Sequence, residues 1–161
     1  MSDEESQDNE MITEDDASSS ATVFHEGLTS LSFGQSFNQN VNNLPSSITN
    51  LTFGRAFNKP VDNLPENLQT LSFGDNFNQS VDNLPPNIKE IYFGDNFNKT
   101  VDNLPESLHT IRFGRNFNQK VDKLPPNLVS LSFGDYFNQS VDNLPKYLTD
   151  ISFGDNFNQK V

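Results

Sequence analysis

The chain has 161 residues, room for one domain of ordinary size. Ten Lys and Arg against 22 Asp and Glu leave a formal charge of −12, which argues against nucleic acid or an anionic membrane surface as the partner. There is no cysteine, which removes disulfides, thiolate zinc sites and cysteine nucleophiles, and the only histidines, His25 and His109, lie far apart in sequence.

Read from the N-terminus, residues 1–26 hold nine acids and no Lys or Arg. Residues 1–21 offer Met11 and Ile12 as their main apolar side chains, too little to offset the entropy of ordering, so a disordered acidic tail is expected there. A signal peptide would need a basic region and an apolar core, and neither is present. No window approaches the roughly 18 apolar residues of a membrane helix, so the expected setting is soluble and intracellular, in the cytoplasm. Val23 and Phe24 make residues 22–27 read as an improvised N-terminal cap.

From Leu28 onward the chain repeats every twenty residues without a slip. Phe-Gly recurs from 33/34 to 153/154, Leu-Pro from 44/45 to 144/145, and Val from 41 to 161. The second Phe is followed by Asn in every unit: Phe37-Asn38, Phe57-Asn58, Phe77-Asn78, Phe97-Asn98, Phe117-Asn118, Phe137-Asn138 and Phe157-Asn158. Residues 28–161 therefore hold six full units and a partial seventh. In the third unit, Leu71 and Phe73 are two apart and share one face of a short strand, with Thr70 and Ser72 on the other. Gly74 is expected to end the strand in a dihedral that favours glycine. Phe77, Val81 and Leu84 follow at spacings of three or four, which suits a turning return path with single-turn or 3₁₀ character, and Pro85 limits any helix. Twenty residues are too few for two helices. A single unit cannot bury enough to fold alone, so units must stack, one parallel strand per coil about 4.8 Å apart. The expected fold is a repeat solenoid.

The asparagines after the second Phe are expected to bond turn groups of their own and the adjoining coil that would otherwise be buried unpaired. The alternative is a ligand or glycosylation site, since Asn50, Asn78, Asn98 and Asn138 fall in Asn-x-Ser/Thr triplets. The Asp-Asn pairs at 62/63, 82/83, 102/103 and 142/143 invite a calcium reading, but each offers one carboxylate where calcium takes about six to eight oxygens. Turn chemistry before Leu-Pro is the simpler account.

The pattern Leu-Pro-x-x-Leu-x-x-Leu-x-Phe-Gly-x-x-Phe-Asn-Gln resembles the FNIP repeat, a relative of leucine-rich repeats, over residues 28–161. Phe57-Asn58-Lys59-Pro60 comes closest to the family's name motif. Asn40, Ser80, Thr100, Lys120, Ser140 and Lys160 stand where the others would have the proline. The units are also slightly shorter than the usual family repeat. The resemblance implies a leucine-rich-repeat-like solenoid engaged in protein–protein interaction. Family members often carry an F-box or a kinase domain ahead of the array, for which residues 1–27 are too short and too acidic. No catalytic residue, cofactor or metal site carries over.

A partner is expected where side chains vary and point outward. On the strand these are the columns 30/50/70/90/110/130/150 and 32/52/72/92/112/132/152, mostly small and polar. Glu90, Tyr92 and Arg112 break that pattern on neighbouring strands, and Arg115 and Tyr136 vary just past the strand ends. Arg and Tyr are enriched at binding hot spots, which makes these five the candidate contact residues. The plainer reading is drift on a solvated face, with Tyr92 and Arg112 stacked on each other. An enzyme would need a converging acid–base or nucleophile set, and none is apparent. The remaining alternative is an assembly protein. The array stops in mid-unit at Val161, so either an uncapped edge pairs end to end with another chain or the natural array is truncated there.

Overall fold

The computed structural model describes Asn9–Ile12 by its backbone, together with Phe24 and residues 27–160. Eight short strands form one parallel sheet in chain order: β1 (Asn9–Ile12), β2 (Ser30–Phe33), β3 (Asn50–Thr52), β4 (Thr70–Ser72), β5 (Glu90–Tyr92), β6 (Thr110–Arg112), β7 (Ser130–Ser132) and β8 (Asp150–Ser152). From β2 to β8 the register is the sequence repeat itself, each residue pairing with the one twenty positions later. No described residue is in a helix. The return paths are single turns closed by bonds such as Phe77 N–H to the Gly74 carbonyl (3.3 Å) and Leu68 N–H to the Pro65 carbonyl (3.1 Å). The chain is a solenoid of the expected kind.

The apolar columns fill its interior. The Leu/Ile columns that begin at Leu28 and Leu31, both Phe columns and the Val column are buried through the central coils. Side chains of a lone coil would stay wet above and below, so each coil is buried only by its neighbours. The two Phe of a coil stack with centroids 3.7–4.1 Å apart, and like rings of successive coils lie 5.3–6.1 Å apart. The result is a double file of near-parallel rings from Phe33 to Phe157. Phe24 is half-buried and packs against this core, while Val23 lies outside the described residues.

Three expectations are corrected. Among the described residues the one positive-φ glycine is Gly27 (φ 89°), so the repeat glycines are not there for their dihedral. A Cβ at Gly74 would instead overlap the backbone carbonyl of Gly54, and the same holds from Gly54 through Gly154. The backbones meet because the residue two beyond each glycine donates to the coil before it, as Asn96 N–H does to the Asp75 carbonyl (2.9 Å).

The asparagine ladder exists, but at the surface rather than in a buried turn. The backbone N–H groups of Asn58, Asn78, Asn98, Asn118, Asn138 and Asn158 each donate to the Oδ1 of the preceding ladder asparagine at 2.9–3.0 Å. Gln79, Gln119, Gln139 and Gln159 add a second donor to the same oxygens.

The third correction concerns the N-terminal segment. Asn9–Ile12, expected to be disordered, pairs in parallel with β2. Composition counts side chains to be buried, whereas an open sheet edge also offers unpaired N–H and C=O groups to any extended backbone. Residues 1–8 and 13–21 lie outside the described residues.

Phe97 is fully buried and Asn98 exposed, which separates two contributions by size. Phe97→Ala should cost about 3–5 kcal/mol. Asn98→Ala should cost only about 0.5–1.5 kcal/mol, since the N–H it leaves unpaired can turn to water. Chemical unfolding of both variants checks this, and equal losses would contradict it.

Candidate protein-interaction surface

Alternation along each strand sends one residue inward and its two neighbours outward. Ile91 and Ile111 are fully buried, which turns Glu90, Tyr92, Thr110 and Arg112 to the outer face. Register then sets Tyr92 beside Arg112 and Glu90 beside Thr110. The Tyr92 hydroxyl donates to Glu90 Oε2 at 2.9 Å along its own strand. That bond holds the phenol above its ordinary pKa, with partial burial and the Glu90 charge adding to the shift and Arg112 opposing it. Tyr92 therefore remains a neutral donor, committed to Glu90. The expected Tyr92–Arg112 stack is absent, and the exposed guanidinium makes no ion pair with a described carboxylate.

Arg115 and Tyr136 form a second group past the strand ends. Arg115 Nε lies 3.3 Å from Asp135, its Cζ sits 5.4 Å from the Tyr136 ring centroid, and its backbone N–H donates to Asp95 Oδ1 at 3.3 Å. Tyr136 is 47% exposed, so an aromatic face remains available even with the cation over it. The five candidates thus fall into two neighbouring clusters, one on the sheet and one on the turn beyond it.

A shallow polar groove of about 440 Å³ was not anticipated. It runs before the strands, lined by positions 47, 67, 87 and 107 and by 49, 69 and 89. Much of its lining is structural: Ser47 and Ser107 hydroxyls and the Asn67 and Asn87 amides donate to backbone carbonyls of the preceding coil. The available signal was the small polar side chain two residues after the first five Leu-Pro pairs, at 47, 67, 87, 107 and 127.

The acidic column on the return path is likewise committed to coil-to-coil bonds. Asp62, Asp82 and Asp122 accept from Asn83, Asn103 and Asn143, and Asp102 pairs with Lys123 at 3.4 Å. Among the described residues no three His, Asp or Glu side chains gather as a metal site. No described helix is long and apolar enough to cross a membrane.

The FNIP Repeat family profile matches residues 23–55, 40–63, 57–83, 80–116 and 100–136, together more than two thirds of the chain. A solved structure described as CroV588, a novel circular LRR protein, is similar at 48% identity with a TM-score of 0.78. The likeness covers 83% of this chain but 22% of that one, so this chain spans less than a quarter of that protein's length. No curated protein matches this chain.

Glu90 is the main cause of the raised Tyr92 pKa, so Glu90→Ala, which removes both the acceptor and the charge, should bring that pKa back toward the ordinary tyrosine value. A pH titration of the Tyr92 ring resonances reads this directly. An unmoved pKa would mean that the hydroxyl bond is not formed in solution.

Proposed function

The chain belongs to the FNIP repeat family, and from that premise we propose that it is a non-catalytic scaffold presenting the outer face of its strands to a protein partner. The observation that carries this reading is Arg112. Its guanidinium stands exposed, beside a tyrosine already oriented by Glu90, in columns otherwise filled mainly by Ser, Thr, Asn and Asp. Planar side chains held in place lose little freedom on binding, which is why Arg and Tyr dominate interface energetics. Arg115 and Tyr136 extend the same surface past the strand ends. A catalytic reading finds less support, because many of the polar side chains are tied into bonds between coils. We place the partner inside the cell, on the cysteine-free, acidic composition.

For the scaffold reading, the test compares Tyr92→Ala with Arg112→Ala against a control pair from the same column, Ser132→Ala with Ser152→Ala. The first pair should weaken the complex with a captured partner by more than about 2 kcal/mol, while folding changes by no more than about 0.5 kcal/mol. The control loses one exposed Ser152–Ser132 hydroxyl bond and should alter neither appreciably. Equal affinity in all three proteins would move the site to the return path, where Lys59, Lys99, Lys120 and Lys146 vary the repeat.

A further inference from the structure

The N-terminal strand is the one element of the sheet that does not obey the repeat. β1 pairs with β2 through Asn9↔Ser30, Glu10↔Leu31, Met11↔Ser32 and Ile12↔Phe33, an offset of twenty-one rather than twenty. Glu10 stands at the register position that Leu or Ile fills in every later coil, and Ile12 at the position of the first Phe. The connection from Thr13 to Thr29 is as long as a repeat return path, yet it has no Phe-Gly, no Phe-Asn and no Leu-Pro. By sequence, then, this connection lacks the motifs that build the ring file, glycine contact and asparagine ladder of the other coils. Among the described residues, a four-residue backbone ladder ties β1 to the array.

The edge that it occupies carries the core side chains of the first coil. With β1 in place Leu31 is 0% exposed and Phe33 6%, so the first coil together with its cis strand is covered to the same degree as coils in the middle of the stack. Ser30–Phe33 holds a parallel partner in place through main-chain groups, with Ile12 in register with Phe33 and Glu10 in register with Leu31. Such an edge recognises extended backbone first and side-chain pattern second, the physics of β-augmentation.

We propose that the outer edge of β2 is a peptide-acceptor site, occupied in cis by Asn9–Ile12 and able to take in parallel an extended segment of the same pattern from a second copy of this chain. The cis strand acts as an autoinhibitory plug. It lowers the apparent affinity for a trans segment by the fraction of molecules in which the edge is free. This site is separate from the outer strand face proposed above, and either can fail without the other.

The test uses full-length protein and a synthetic peptide of residues 1–21 of this chain as the probe. Glu10→Pro with Met11→Pro removes two adjacent N–H groups, one of which must face β2, and so frees the edge. Asn9→Cys with Ser30→Cys does the reverse. It places a thiol pair at partnered positions of adjacent strands, in a chain with no other cysteine, so that mild oxidation locks β1 in cis. The proline variant should bind the probe at least about tenfold more tightly than wild type, and the oxidised lock should not bind it at all, regaining wild-type binding on reduction. Amide exchange at Ser30–Phe33 should rise in the proline variant and fall again when the probe is added. Equal binding by all three proteins, or no binding by a folded proline variant, would overturn the proposal. If the proline variant does not fold, the lock decides alone: binding unchanged by oxidation overturns it, and binding lost on oxidation and restored on reduction supports it.

Discussion

Where the strand turns into the return path, the backbone of one coil rests on the glycine carbonyl of the coil before it, with no room for a side chain between them. Most other features of the array follow from that contact. Two backbones that touch at one point in every coil, and bond again along the strand, have no freedom to slide, so each coil must contain the same number of residues. Equal length places like residues above like. Columns of identical side chains then become the economical way to fill the interior, and the composition of the chain, rich in Phe and lacking Trp, is the consequence.

The stacked geometry also decides what polar groups do. Asparagine after the second Phe presents an oxygen to the backbone N–H of the coil above it, and the same exchange recurs from Asn38 to Asn158. Each bond is modest because it lies at the surface, but it helps hold the register wherever it repeats. The Asp column works similarly, Asp62, Asp82, Asp102 and Asp122 each accepting from an Asn or Lys one coil on, which relieves the repulsion that stacked acids would otherwise feel. With so many repeat positions committed to core or ladder, few are free to vary, and Glu90, Tyr92 and Arg112 are among those few.

The twenty-residue period, the alternation of Leu71 and Phe73 with Thr70 and Ser72, and the stacking of units were legible because periodicity reports directly which side chains share a face. The purpose of Gly74 was not. A glycine required by a neighbouring coil and one required by its own dihedral look alike in sequence, and only the packed backbones distinguish them. Asn98 was misjudged as buried, because a residue beside a core Phe can lie on either side of the chain. The strand at Asn9–Ile12 escaped notice since its attachment is through main-chain groups, which composition does not register. Within the candidate site, the pairing of Tyr92 with Arg112 was readable from register alone. The diversion of the Tyr92 hydroxyl to Glu90 depends on rotamers and could not be read.

The central claim is that direct backbone contact at the repeat glycine sets the spacing of the coils. Gly94→Ala tests it most directly, because the added methyl group would meet the Gly74 carbonyl and the Asp75 nitrogen, neither of which can give way without parting the coils. Chemical denaturation of this variant, beside the exposed control Lys99→Ala in the same coil, is the measurement. A loss of at least about 2 kcal/mol for Gly94→Ala, with the control within about 0.5 kcal/mol of wild type, is the predicted result. Wild-type stability in Gly94→Ala would contradict it and would leave the ring file and the side-chain ladders to set the spacing.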